Sequence, residues 1–195
     1  MTEPVPHLPR EIRVPLPDWV SDTIDVRRSY NSDEERMALA VGLARENVRR
    51  ATGGPFGAAV FEADSGLLVA AGVNRVVPLN NSVLHAEIVA IMAAQSRLGV
   101  YSLAAEGLPG HALYTSCEPC AMCLGAIQWS GVKRVIWAAT REDAGRLQFD
   151  EGPVFRASYM YLSARGIHFS AGPLRQEARA VLADYAKRGG EIYNG

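Results

Sequence analysis

Residues 115–123, TSCEPCAMC, hold every cysteine of the chain, at spacings of three. Pro119 suits the first turn of a helix, so Cys120 and Cys123 are predicted on one face of that turn, where the helix dipole favours thiolates. Cys117, at the end of a predicted strand, is expected to point elsewhere. A disulfide within one helical turn has poor geometry, and a cluster of the four-cysteine iron–sulfur type lacks its fourth ligand. The segment therefore indicates a metal site, with buried free thiols as the alternative.

His85 is the candidate for the remaining metal ligand, because it lies near the start of an apolar helix in the segment HAE. One histidine and two cysteines, Cys120 and Cys123, give zinc three protein ligands and leave the fourth position for water. Adding Cys117 would close the site, as in structural zinc centres. Glu87 could reach the bound water without being a ligand, and an acid on an apolar helix is seldom buried without a partner. For His85 alone, a hydrogen-bonded core histidine is the alternative.

The elements that must position these side chains can be predicted from hydrophobic periodicity. Residues 1–30 are proline-rich and are expected to form an extended arm, followed by the main domain over residues 31–195. Buried strands alternating with helices favour an α/β fold, a three-layer α-β-α sandwich with a central mixed sheet of about five strands. The predicted elements are a helix from Ser32 to GGPFG, a β-hairpin over 57–73, a helix over 83–99, strands at 111–116, 133–139 and 167–171, and helices at 120–131 and 174–188.

Composition narrows the function classes. The chain has 195 residues, 48% of them apolar and 21% charged, with a net charge of −1. No basic stripe predicts binding of nucleic acid or of an anionic membrane surface. The N-terminus lacks the pattern of a secretory signal, and the apolar runs are too short to span a bilayer. A cytoplasmic location is therefore expected, where clustered cysteines indicate metal binding or catalysis.

Together, HAE and PCAMC match the signature H-x-E…P-C-x-x-C of zinc-dependent nucleobase and nucleoside deaminases. From about residue 33 onward, the chain resembles the cytidine deaminase-like fold. The resemblance implies one zinc ion (Zn²⁺) per subunit, held by His85, Cys120 and Cys123. It also implies a zinc-activated hydroxide that attacks an amino-bearing ring carbon, with Glu87 transferring the proton to the ring and assisting loss of ammonia.

The segments GGPFGAAV, AGVNRVVP and FDEGP are most similar to bacterial guanine deaminases, some of which also accept ammeline. This resemblance implies that Phe56 stacks on a purine, that Asn74 hydrogen-bonds its polar edge, and that the backbone at Ala86 contacts it. Trp129 would help to line the pocket. Glu151 would hold and protonate the leaving amino group. From the residues alone, Phe56 could merely anchor a turn, and Asn74 could be an ordinary turn residue after a strand. Trp129 could equally lie in the core, and Glu151 could be a solvated loop acid.

The same resemblance implies a homodimer in which the C-terminal segment, about residues 153–195, is exchanged between subunits. The expected partner is a small nucleobase, with neither nucleic acid nor a membrane. Three alternatives stay open: a tRNA adenosine deaminase, a deaminase of free cytosine or nucleosides, and a zinc-stabilised binding module without catalysis. The last predicts Cys117 as a fourth ligand.

Overall fold

The computed structural model describes residue 8 and residues 10–194. Its five-stranded sheet has the strand order β2-β1-β3-β4-β5. β1 is antiparallel to both β2 and β3, whereas β4 is parallel to both β3 and β5. The strands are β1 Gly57–Glu62, β2 Leu68–Val73, β3 His111–Cys117, β4 Arg134–Ala139 and β5 His168–Ala171. The predicted mixed sheet of five strands is confirmed.

Helices cover both faces of the sheet and complete a three-layer sandwich. One core lies between the sheet and the pair α2 and α8, and the other lies under α4, α5 and α7. The helices are α1 Asp18–Thr23, α2 Asp33–Arg49, α3 Val76–Leu79, α4 Ala86–Leu98, α5 Ala121–Ser130, α6 Arg141–Gly145, α7 Arg156–Ser163 and α8 Arg175–Lys187. The predicted fold class is therefore confirmed.

Local signals set the ends of the main helices. Ser32 caps α2, since its side chain accepts a hydrogen bond from the backbone N–H of Glu35, as the capping-box spacing predicts. Gly131 ends α5 with a φ of 85°, and a side chain there would collide with the backbone N–H of Ala104. α5 begins at Ala121, slightly after Pro119, which was expected in its first turn.

The arm predicted over residues 1–30 needs correction where the structure describes it. α1 lies in this stretch, and its Trp19 and Val20 are buried against Leu43, Ala71 and Val73. Burial of two large apolar side chains outweighs the extended preference that the flanking prolines impose. Residues 1–7 and 9, to which the same prediction applied, lie outside the described residues. No helix in the described part of the chain has the length and apolar character needed to cross a bilayer.

Candidate active site

The N-termini of α4 and α5 bring one nitrogen and two sulfur atoms together. His85 is the N-cap residue of α4, and its Nδ1 lies 3.5 Å from Cys120 Sγ and 3.7 Å from Cys123 Sγ. Cys120 caps α5, and Cys123 lies in the first turn of that helix. The three ligand atoms all lie within 4.8 Å of one another.

The spacing of these atoms fits a zinc ion. Tetrahedral zinc, with bonds of about 2.1 Å to nitrogen and about 2.3 Å to sulfur, separates such donors by roughly 3.6–3.8 Å. The two nitrogen–sulfur distances agree with this separation. An imidazole and two thiols also form a donor set that zinc favours. Three protein ligands leave one tetrahedral position for a reacting molecule.

The cysteines differ in their electrostatic environment. The pKa of Cys120 is lowered to about 4, because the Cys123 thiol and His85 both hydrogen-bond to its sulfur. A thiolate is the form that binds metal. Burial instead raises the pKa of Cys117 well above its usual value. Cys117 ends β3, and its Sγ lies 3.6 Å from the carbonyl oxygen of Thr140, apart from the ligand cluster. The group of possible ligand atoms among the described residues therefore comprises His85, Cys120 and Cys123 without Cys117.

Two carboxyl groups face the cluster from different elements. Glu87 lies in the first turn of α4 and is only 6% exposed, and burial raises its pKa. Glu151 lies in the loop before α7, where burial, with the negative charges of Cys120 and Glu87, raises its pKa to about 8. The backbone N–H of Ala121 donates to the carbonyl oxygen of Glu151 at 3.0 Å. This bond fixes the acidic loop to the start of the metal-binding helix.

A small inner cavity of about 30 Å³ is lined by two of the metal ligands, His85 and Cys120, and by both acids. It opens toward a larger outer cavity of about 550 Å³ between the loop after β2 and the C-terminal tail. No lysine or arginine lines either cavity in the part of the chain that the structure describes. The inner cavity is lined by Phe56, His85, Glu87, Cys117, Glu118, Cys120, Phe149, Asp150, Glu151 and Tyr193.

The C-terminal tail closes this site. The Tyr193 ring lies 5.2 Å from the Phe149 ring and 6.4 Å from the imidazole of His85, measured between centroids. Asn194 fastens the tail, because its Oδ1 accepts from the backbone N–H of Asp150 at 2.9 Å and its Nδ2 donates to the Gln148 carbonyl at 2.8 Å. The tail therefore covers the inner cavity in this structure.

Comparison with known families agrees with this geometry. Residues 30–139, more than half of the chain, match the family described as the cytidine and deoxycytidylate deaminase zinc-binding region. The chain belongs to this deaminase family. The zinc cofactor expected from the sequence is thereby confirmed, since both the family and the ligand cluster indicate it.

Several relatives of this deaminase are informative. It is 44% identical over 123 residues to the guanine deaminase of Bacillus subtilis, covering 63% of this chain and 74% of the relative. The solved structure of a guanine deaminase from Nitrosomonas europaea aligns with a TM-score of 0.87 at 44% identity, covering 93% of this chain and 99% of the other. A tRNA-specific adenosine deaminase of Buchnera aphidicola is 28% identical over 62% of this chain and 73% of its own length.

The deaminase fold brings most of the predicted site residues together. Phe56 lines the inner cavity, with its ring 5.1 Å from that of Phe149. Asn74 is fully buried just after β2, and its Nδ2 has no hydrogen-bond partner among the described residues. An unpaired buried donor suits an acceptor on a bound ligand. Ala86 is also fully buried, between His85 and Glu87. Its backbone contact to a base stays a prediction.

The structure does not place Trp129 in the pocket. Its side chain is 77% exposed on α5 and lines neither cavity among the described residues. Cys123 and Ile127 occupy the inward face of the helix, and the helical period directs Trp129 away from it. Trp129 therefore lies outside both cavities within this chain, and its contribution to the pocket stays a prediction.

Tyr193 lies at the site, although no separate role was predicted for it from the sequence. Its hydroxyl is buried and unpaired among the described residues, beside Gly54 of the GGPFG segment. The sequence did contain one signal for a role of Tyr193, since it is an isolated aromatic residue in the polar tail EIYNG. A residue in a tail rarely buries its ring unless another part of the protein packs against it.

Proposed function

We propose that this protein catalyses the hydrolytic deamination of guanine, in which guanine and water give xanthine and ammonia. The observation that carries the proposal is that Glu151 lines the same small cavity as Glu87, His85 and Cys120. The identity to guanine deaminases from two bacteria supports the same substrate. Ammeline is a second candidate substrate, because it presents an amino group beside ring nitrogens as guanine does.

The roles of the two acids follow from their positions. Zinc, when bound, lowers the pKa of water so that it can act as a nucleophile at neutral pH. Glu87 accepts the proton of the attacking water and delivers it to the ring. Its raised pKa suits a group that must both take and give a proton. Glu151, buried and protonated more readily than an ordinary acid, holds the leaving amino group and supplies a proton to it.

The other site residues bind the base. Phe56 offers a ring for stacking, and the free Nδ2 of Asn74 offers a donor to an acceptor on the purine edge. The pocket favours a small neutral base over an RNA stem, because its outer cavity is lined by acids and by no lysine or arginine in the described part of the chain. Those acids are Asp150, Glu151 and Glu191.

Glu151→Gln tests the assignment directly. Glutamine keeps the shape of the side chain but cannot transfer a proton, so guanine turnover is expected to fall about 10²-fold, while zinc content stays unchanged. Ammonia release from guanine, ammeline, cytosine, adenosine and guanosine is measured beside metal analysis. Activity of the wild-type chain on cytosine or adenosine alone would contradict the proposal. A Gln variant with near wild-type guanine turnover would remove Glu151 from the mechanism.

We further propose that the enzyme is a cytoplasmic homodimer whose interface includes the outer faces of α5 and α7. Trp129, Phe155, Met160 and Tyr161 are exposed there, between 47% and 77%, beside an apolar groove. A second copy of the chain would cover these side chains, whose exposure on a monomer is unfavourable. A reducing compartment suits the three free cysteines.

Replacing Trp129 by glutamate is expected to convert the dimer to monomers, because an unpaired charge would be buried at the interface. Light scattering gives the mass, and zinc content reports an intact fold. Tyr101→Glu is the matched control, since Tyr101 is 91% exposed on another loop. A Trp129→Glu protein that remains dimeric would exclude this face.

Exchange of residues 153–195 between subunits stays a prediction. In this structure, β5 pairs with β4 and α8 packs on α2 within one chain. An exchanged dimer would form the same contacts with the partner, through a hinge near residues 150–155. A mixed dimer distinguishes the two arrangements: one chain carries Glu87→Gln, and the other lacks residues 191–195. Activity returns only if each tail closes the partner's site.

A further inference from the structure

Asn47 hydrogen-bonds to two segments that carry proposed substrate-binding residues, Phe56 and Asn74. Its side chain is fully buried on α2, and its Nδ2 donates to the carbonyl oxygen of Gly54 at 2.8 Å and to that of Asn74 at 3.0 Å. Gly54 belongs to the loop that precedes β1, whereas Asn74 follows β2. One amide nitrogen therefore hydrogen-bonds both to the loop that carries Phe56 and to Asn74, whose own Nδ2 is unpaired among the described residues.

The two tied segments also contact each other. The backbone N–H of Asn74 donates to the carbonyl oxygen of Phe56 at 3.0 Å. A side chain at Gly53 would lie 2.0 Å from the carbonyl oxygen of Asn74, so the loop can approach only as glycine. Phe56 and Asn74 consequently form one unit whose position depends on Asn47.

A hydrogen-bond chain extends this unit to the N-terminal segment. Thr52 Oγ1 donates to Asn47 Oδ1 at 2.8 Å and accepts from Trp19 Nε1 at 3.1 Å. The guanidinium of Arg75 donates to the Thr52 carbonyl. Every polar atom of the Asn47 side chain is thus satisfied in a fixed orientation. Trp19, on α1, supplies the outermost link.

We propose that Asn47 is a positioning residue for the nucleobase, and that Thr52 and Trp19 hold it in the orientation this requires. Asn47 does not touch the base; it sets the stacking ring of Phe56 and the donor of Asn74 relative to the metal. The segment before α2 thereby contributes to substrate affinity. This inference rests on the proposed function, which places the base against Phe56 and Asn74.

Asn47→Ala and Thr52→Val test the inference. Each removes part of the network, and both are expected to raise the KM for guanine, with Asn47→Ala giving about a 10-fold rise, the effect of losing one or two buried hydrogen bonds. The kcat should change less, because groups that only hold the base bind the ground state and the transition state alike. Thr52→Ser keeps the hydroxyl and should restore the wild-type KM. Trp19→Phe, which loses only the N–H, should give a smaller rise.

The matched control is Val41→Ala, which shortens a buried apolar side chain on the same helix that takes no part in the hydrogen-bond network. It should lower the melting temperature as Asn47→Ala does and leave KM unchanged. Zinc content is measured for every variant. Amide exchange at Phe56 and Asn74 without ligand is expected to quicken in Asn47→Ala and Thr52→Val, but not in the control.

The outcomes separate the two claims. A wild-type chain that does not turn over guanine contradicts the proposed function, and the exchange rates then decide the positioning role by themselves. If the wild type is active on guanine but Asn47→Ala and Thr52→Val match Val41→Ala in KM, Asn47 has only a structural role. Failure of Thr52→Ser to restore KM would also overturn the network.

Discussion

Cys120→Ala is expected to remove zinc and activity together, whereas Cys117→Ala should keep both. Cys120 supplies one of three donor atoms and is the thiol whose surroundings favour the thiolate. Two ligands cannot hold zinc at nanomolar concentrations as three or four do, and the metal also contributes to folding, so the melting temperature should fall as well. Zinc per chain is measured by elemental analysis beside ammonia release.

Cys117→Ala is the internal control for this result. Its thiol is buried, hydrogen-bonded only weakly to the carbonyl of Thr140, and separate from the ligand cluster. A small loss of stability from the missing sulfur is expected, with no loss of metal. Zinc-free protein from the Cys117→Ala variant would instead indicate a four-ligand structural site and would contradict catalysis at this centre.

Glu87→Gln is expected to keep zinc and to lower turnover by at least ~10²-fold, the lower range for general acid–base catalysis. The amide fits the same buried position near His85 but cannot accept a proton from water. Since Glu87 is not among the ligand atoms, metal content should match the wild type. KM should change little if the acid acts mainly in the transition state.

Glu87→Asp is the companion variant, because it keeps the acid and shortens its reach. Partial activity of Glu87→Asp, with no activity of Glu87→Gln, would identify proton transfer as the role of Glu87. Near wild-type turnover by Glu87→Gln would exclude that role. Loss of zinc from Gln would show instead that Glu87 supports the metal site.

The elements with strong periodicity were predictable from the sequence, and the short ones were not. All five strands and α2, α4, α5 and α8 were predicted within a few residues. The missed helices, α1, α3, α6 and α7, have between four and eight residues, and tertiary contacts decide such short helices more than propensity does. α1 is the clearest case, since burial of Trp19 overrides the prolines around it.

The residues of the candidate site also divide into those that could be predicted from the sequence and those that could not. The metal ligands and Glu87 follow from motif spacing, because helix geometry fixes side chains three residues apart. The position of Trp129 could not be predicted, since a helix that is apolar almost all round gives no periodic signal that distinguishes its core face from its exposed face. The role of Asn47 could not be predicted for another reason: its Nδ2 donates to backbone carbonyls, which carry no sequence signature.

The hydrogen bond between the Ala121 N–H and the Glu151 carbonyl has a thermodynamic consequence. It places the acid that is proposed to hold the amino group on the same rigid body as the thiols that hold the metal. Linkage between equilibrium affinities is reciprocal: if an ordered Glu151 loop strengthens zinc binding, a bound base raises the affinity for zinc by the same factor by which zinc raises the affinity for the base. The effect of a base on zinc affinity and the effect of zinc on base affinity therefore measure the same coupling free energy, and a chelator should remove zinc from the free enzyme at a lower concentration than from the base-saturated enzyme.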